Sequence, residues 1–214
     1  MKHGKYEQTQ NNCSEELQKE AKDMRSRIKD VLLYLHDLVY LLGIGLLVLL
    51  LFFKIVIVSG SSMKNTLVDG DYLLLISNVF YHDPQYGDII VASKDSYENG
   101  TPIVKRVIAT EGQSVDIDFQ KGIVYVDGVA LDEPYVSSQM AYEGIAFPLI
   151  VDDGCLFVMG DNRWVSQDSR SPAIGLIDKR EVMGKALLLF LPGTDKGNTP
   201  RDFSRLEVFS RGTR

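Results

Sequence analysis

Apolar positions run without interruption in one place near the start of the chain and recur in short pieces after it. Residues 31–58 read VLLYLHDLVYLLGIGLLVLLLFFKIVIV, with no charge from Leu38 to Phe53. About 20 such residues, rising 1.5 Å each, cross the hydrocarbon core of a bilayer. The pattern therefore predicts a transmembrane helix over 31–58. Lys54 falls near its end, where a long side chain reaches the interface. A cleaved signal peptide would start earlier, be shorter and end in a small-residue cleavage site. Upstream, residues 14–30 (SEELQKEAKDMRSRIKD) predict a polar helix with little apolar face, within a polar segment 1–30.

Beyond residue 58 the period changes. Runs rich in Val, Ile, Leu and Tyr occur at 72–76, 88–93, 103–109, 114–118, 123–126, 155–159 and 185–191, separated by Gly, Asp, Asn and Pro. VYVDGVAL places Asp-Gly between two apolar runs, which signals a hairpin. No long 3.6-residue period follows the apolar run. The expected fold is a mainly β domain over 59–192, preceded by a single transmembrane helix and followed by a polar, partly mobile tail over 193–214.

Charge decides orientation and narrows the partners. Seven Lys or Arg lie in residues 1–30, five of them between Lys19 and Lys29. Basic residues flank the cytoplasmic end of a span, so the N-terminus is expected inside the cell and the β domain outside. The net charge of −6 gives no footprint for nucleic acid. Two cysteines, Cys13 and Cys155, match no zinc or redox spacing and would lie on opposite sides of the membrane.

Three separated stretches carry candidate chemistry. SGSSMKNTLVDGD, residues 59–71, offers three serines and Lys64, and by itself does not choose among them. In TPIVKRVIAT, residues 101–110, alternation puts Ile103, Lys105 and Val107 on one face and Val104, Arg106 and Ile108 on the other. If the first face is covered, desolvation disfavours the charged form of Lys105, and a neutral amine accepts a hydroxyl proton. Solvated strand charges are the alternative. MGDNRWVSQDSR, residues 159–170, suits either turns or a buried polar network, with Asp168 placed to pair with Arg170 or Arg106.

Together these stretches resemble the bacterial type I signal peptidases, membrane-anchored Ser/Lys proteases. GSSMKNTL is similar to that family's Gly-x-Ser-Met-x-Pro-Thr-Leu box, GDYLLL to the strand after it, and YGDIIV to the next box. VKRVIATEGQSV, MGDNRWVSQDSR and GLIDKREVMGKA follow in the family's order, so the likeness covers roughly 35–192. It implies Ser62 as nucleophile, Lys105 as general base and Ser166 as the serine that holds the lysine. It further implies Asp168, Arg170 and Arg106 as buttressing ion pairs and the Ser62 backbone N–H as oxyanion donor. Met63, Leu67 and Val104 are candidates for lining shallow apolar pockets. Asn65 stands where the family has proline, Ala109 and Gln113 replace a glycine and an aspartate, and Gly60 removes a serine donor that some members have. Trp164 and Val165 fill positions that are often polar, and the aromatic suits either a membrane interface or simple packing.

The implied activity is removal of signal peptides from exported preproteins, bound as an extended strand. Lys105 takes the Ser62 proton, an acyl-enzyme forms, and water activated by the same lysine completes the cleavage. No metal or nucleotide cofactor is called for; the implied partners are preproteins and the lipid bilayer. Ser61-x-x-Lys64 also fits the Ser-x-x-Lys pattern of penicillin-binding proteins, but the chain has no Lys-Thr-Gly. Soluble self-cleaving repressor proteases share the dyad without an anchor. A non-catalytic membrane scaffold of the same fold is the remaining alternative.

Overall fold

The computed structural model describes residues 3–136, 139–141, 144–194 and 200–209, with side chains from Lys22 onward and for Lys19. The chain divides into two units, Met1–Leu50 and Leu51–Arg214. The first is helical: α1 runs from His3 to Phe52. Its segment Lys22–Phe52 has a mean hydropathy of 2.3 in its most apolar window, none of it buried, and is long and apolar enough to cross a membrane.

The helix stops at Phe52, short of the expected 58. Residues Phe53–Ile57 form a strand, β1, because Phe53, Lys54, Ile55, Val56 and Ile57 pair with a partner running from Ile76 back to Tyr72. Ile55, Val56 and Ile57 are β-branched, stiff at χ1 and better suited to a pleated surface than to a helix. Lys54 is a correction of the same kind. Its ammonium donates to the Met183 carbonyl at 3.2 Å and to Asn78 Oδ1 at 3.3 Å rather than ending a span.

The other strands are β2 (Tyr72–Ser77), β3 (Ile89–Ala92), β4 (Ile103–Thr110), β5 (Ser114–Asp118), β6 (Ile123–Val126), β7 (Val129–Ala130), β8 (Leu149–Ile150), β9 (Cys155–Met159), β10 (Ile177–Asp178), β11 (Val182–Leu191) and β12 (Glu207–Val208). The larger sheet has the order β1-β2-β11-β3-β4-β9-β10, with β12 beside β11; the smaller has β7-β6-β5-β8. The Asp127-Gly128 turn joins β6 to β7 with both residues at positive φ, the twist a two-residue hairpin requires.

The larger sheet is covered on both faces. Ile89 and Val91 of β3 point into a core with Leu73, Leu75 and Leu189, while Ile90 and Ala92 point into another with Val107, Val158 and Ile177. A strand buried on both sides reads as a continuous apolar run, which is why IIVA shows no alternation. A third core, around Val115, Val124 and Phe157, joins the smaller sheet to β4 and β9.

The described part of 193–214 is not a free tail. It returns to the domain through β12, which pairs Glu207 and Val208 with Leu189 and Leu188, and through buried Phe209.

Candidate active site

Loop 59–71 links β1 to β2 and is pinned at its neck. Val58 N–H donates to the Asp71 carbonyl at 2.8 Å, and Gly70 N–H to the Val58 carbonyl at 2.9 Å. Inside it, Lys64 N–H reaches the Ser61 carbonyl and Leu67 N–H the Met63 carbonyl, so a single helical turn starts at the serines. Met63 and Leu67 drop from this turn into the core, 1% and 0% exposed. That burial fixes the turn and leaves Ser62 facing the other way.

What it faces is Lys105. The Lys105 Nζ donates to Ser62 Oγ at 2.9 Å across 43 positions of sequence. Lys105 is 5% exposed, so the amine is held largely out of water. Both residues line a cleft of about 550 Å³ together with Val56–Val58, Ile103, Val104 and Val165. Three strands lie between β1 and β4 in the sheet, yet the two share this cleft, so the sheet curls enough to bring them together. Glu98 and Lys105 are the charged residues among its lining. An amine at this distance from a hydroxyl, once neutral, can accept its proton and leave an alkoxide to attack a carbonyl.

The stretch 159–170 holds the pair from beneath. Asn162 clamps the Ser62 loop through its N–H to the Ser62 carbonyl at 3.0 Å and its side-chain amide to the Ser61 carbonyl at 3.2 Å. Gly160 packs between Ser62 and Ser166: a Cβ placed on it would meet Ser166 Oγ at 2.3 Å and the Ser62 carbonyl oxygen at 2.4 Å. Asp168 and Arg170, both fully buried, pair through Arg170 Nε to Asp168 Oδ1 at 2.8 Å and Nη2 to Oδ2 at 2.9 Å. Asp168 also takes the Gly160 N–H, while Arg170 donates to the carbonyls of Ala141, Arg163 and Ser166. Breaking a buried, hydrogen-bonded pair costs about 3–5 kcal/mol, because the survivor keeps its charge without a partner.

Arg106 points to the opposite side of β4 from Lys105. It pairs with Asp161, not Asp168, through Nε to Oδ1 at 2.8 Å and Nη2 to Oδ2 at 2.6 Å, and its guanidinium lies 3.9 Å over the Tyr135 ring. Burial by itself would lower the Arg106 guanidinium, but the hydrogen bond and charge of Asp161 together hold it above the ordinary arginine range. Asp161 also accepts from Thr66 Oγ1 at 2.5 Å, which ties this pair to the Ser62 loop. A third buried pair, Arg163 with Glu133 at 2.6 Å, behaves alike: burial lowers the arginine and the carboxylate more than restores it. Burial and the Glu133 charge push the Tyr135 phenol well above its usual value.

The structure thus brings Ser62, Lys105, Ser166, Asp168 and Arg170 into one neighbourhood, with Val104 on the cleft. Met63 and Leu67 are core residues and do not line the cleft. Trp164 is 61% exposed, and Val165, also exposed, borders the cleft. The sequence reading passed over Gly160, Asp161, Asn162 and Thr66. A polar run ending an apolar strand contained the signal, since buried polar groups need partners, but nothing local says which partner each finds.

Comparison with known proteins points to one family. The family model for "Signal peptidase, peptidase S26" matches residues 31–191. A probable signal peptidase I-1 of Synechocystis is 38% identical over 148 residues, covering 65% of this chain and 72% of that protein. A signal peptidase I of Bacillus licheniformis is 35% identical over 158 residues, covering 70% and 82%. A solved signal peptidase I of Enterococcus faecalis aligns at 32% identity and a TM-score of 0.39, over 48% of this chain and 96% of that one.

Proposed function

The chain belongs to the signal peptidase family, peptidase S26, and on that premise we propose that Ser62 is the nucleophile and Lys105 the general base of a membrane-anchored endopeptidase that removes signal peptides from exported preproteins. The observation that carries the reading is the 2.9 Å contact between Lys105 Nζ and Ser62 Oγ with the lysine buried. Burial disfavours an ammonium, and only the neutral amine can accept the serine proton.

The substrate lies extended in the cleft between Val56–Val58 and Ile103–Lys105, where strand edges offer main-chain partners. Ser62 Oγ attacks the carbonyl carbon as Lys105 takes its proton. The Ser62 N–H stabilises the oxyanion. Collapse breaks the C–N bond, Lys105 hands its proton to the departing amine of the mature protein, and the signal peptide remains as an ester on Ser62. Lys105 then deprotonates water, which attacks the ester, and the proton returns to Ser62 Oγ. Asn162, Gly160 and the Asp168–Arg170 pair keep the two reacting groups in register. Ser166, fully buried under Gly160, serves as the support of the lysine side.

The apolar part of α1 anchors the enzyme in the bilayer, with the basic residues Lys19–Lys29 on the cytoplasmic side. Exposed Trp164 and Val165 beside the cleft suit a catalytic domain that works at the outer membrane surface. The test is cleavage of a preprotein in detergent micelles by Ser62→Ala and Lys105→Met. Both are expected to lose at least about 10³-fold in kcat; turnover like that of the unaltered enzyme in either one overturns the assignment.

A further inference from the structure

The segment 200–209 lies beyond the residues that the family model matches. It nevertheless reaches the Ser62 loop through Arg205 and shares a core with it through Phe209. Asp71, at the far neck of that loop, is fully buried. Its carboxylate accepts Arg205 Nη1 at 3.0 Å and Nη2 at 2.7 Å, a fork-to-fork pair. The same carboxylate takes the N–H groups of Val68 at 2.7 Å and Gly193 at 2.6 Å. Arg205 therefore supplies the counter-charge without which Asp71 would be a buried, uncompensated anion.

The contact has two further points. Phe209, 9% exposed, packs in the same core as Met63 and Leu67, the two residues that fix the helical turn next to Ser62. It is set there by β12 and by its own N–H to the Leu187 carbonyl at 2.8 Å. At the start of the excursion, Gly193 lies backbone to backbone against the loop neck: a Cβ there would be 2.3 Å from the Asp69 carbonyl oxygen. Asn162 grips the loop at Ser61 and Ser62; Arg205 grips it from the other end at Asp71, and Phe209 backs it from the core side.

We propose that residues 200–209 form a positioning strap that holds the Ser62 loop in its reactive placement, acting through Arg205 on Asp71 and through Phe209 on Met63. This rests on Ser62 being the nucleophile. Neither strap residue is part of the cleft lining, so loosening the strap moves the attacking oxygen relative to Lys105 while leaving substrate contacts in place. A misplacement of about 1 Å costs on the order of 10²-fold in rate.

The experiment compares full-length enzyme in detergent micelles with Arg205→Met, Arg205→Lys, Phe209→Ala and a chain ending at Pro200. Two readouts are taken: kcat and KM on a preprotein, and hydrogen exchange of amides 58–71 against those of β3, β4 and β9. The strap predicts a kcat lower by about 10- to 100-fold, KM within about twofold, and faster exchange confined to 58–71, with Arg205→Lys intermediate. Unchanged kcat and loop exchange in Phe209→Ala and the shortened chain overturns it. So does a loss that follows uniform exchange across the domain, which would make the segment a general stabiliser. If the shortened chain does not fold, Phe209→Ala and Arg205→Lys decide. Ser62→Ala runs alongside: turnover in that variant refutes the nucleophile, whereas loop exchange still reports the strap.

Discussion

Arg106 and Asp161 meet as a doubly hydrogen-bonded pair beneath the Ser62 loop, at 2.8 and 2.6 Å, with Asp161 wholly buried. Arg106→Met leaves that carboxylate with Thr66 and no cation. Loss of one partner of a buried pair costs about 3–5 kcal/mol, which for a domain of this size lowers Tm by about 10 °C. The double variant Arg106→Met/Asp161→Leu removes both charges and is expected to regain much of that loss. Thermal unfolding of the three proteins in the same detergent checks this; a single variant within about 2 °C of the starting protein would contradict it.

Gly160 stands where only hydrogen fits. A methyl group there would lie 2.3 Å from Ser166 Oγ and 2.4 Å from the Ser62 carbonyl oxygen. Backbone on one side leaves no flexible end to swing away. Gly160→Ala is expected to part the two loops by about an ångström and lower kcat/KM by about 10²-fold. Adding Ser166→Gly removes the contacts with Ser166 Oγ and Cβ but not the one with the Ser62 carbonyl oxygen, so the double variant stays impaired. Steady-state cleavage by both proteins decides, and an active Gly160→Ala enzyme would place the Ser62 loop elsewhere.

Asn65 replaces the proline of the family box, and here it sits at φ 98°. Proline is held near −65° and does not reach this backbone. Asn65→Pro therefore destabilises the loop instead of stiffening it, by about 2 kcal/mol or more, with lower activity. Asn65→Gly, which adopts positive φ without strain, is expected to stay within about 1 kcal/mol despite losing the side-chain bond to the Tyr135 carbonyl. Denaturant midpoints for the two variants test the contrast; a stabilised proline variant would refute the loop geometry.

The β domain begins earlier than the end of the apolar run. A chain starting at Leu51 keeps β1 and the buried Val58, whereas one starting at Ser59 loses both and strips β2 of its edge partner. The longer chain is expected to give a cooperative unfolding transition in detergent, and the shorter one none. Circular dichroism on heating distinguishes them, and a folded, active chain from Ser59 would disprove a structural role for β1.

The sequence alone determined the apolar run that suits a membrane, the seven central strands, the Asp-Gly hairpin and the ordered boxes that mark the family. Each is a local statement: apolar period reports burial, turn residues report backbone geometry, and a box reports its own spelling. Only the tertiary structure decided the rest. Within an unbroken apolar run nothing separates helix from strand, so β1 appeared only once Phe53–Ile57 found Ile76–Tyr72. Arg106 could not be matched to Asp161 over Asp168 because both carboxylates lie in one polar stretch 55 and 62 positions away, and the choice depends on which side of β4 each residue faces. Met63 and Leu67 read as pocket candidates beside a serine, but the helical turn sends them into the core. The C-terminal segment looked like a polar tail because Asp71, the partner of Arg205, lies 134 positions upstream, and the core that takes Phe209 gathers residues from Val58 to Leu189. Unlike Asp168–Arg170, whose partners share one stretch, the Arg106–Asp161 and Arg205–Asp71 pairs and the closing of the cores are long-range choices, made by the balance of desolvation against contact in the folded state, and no short window of sequence contains both partners.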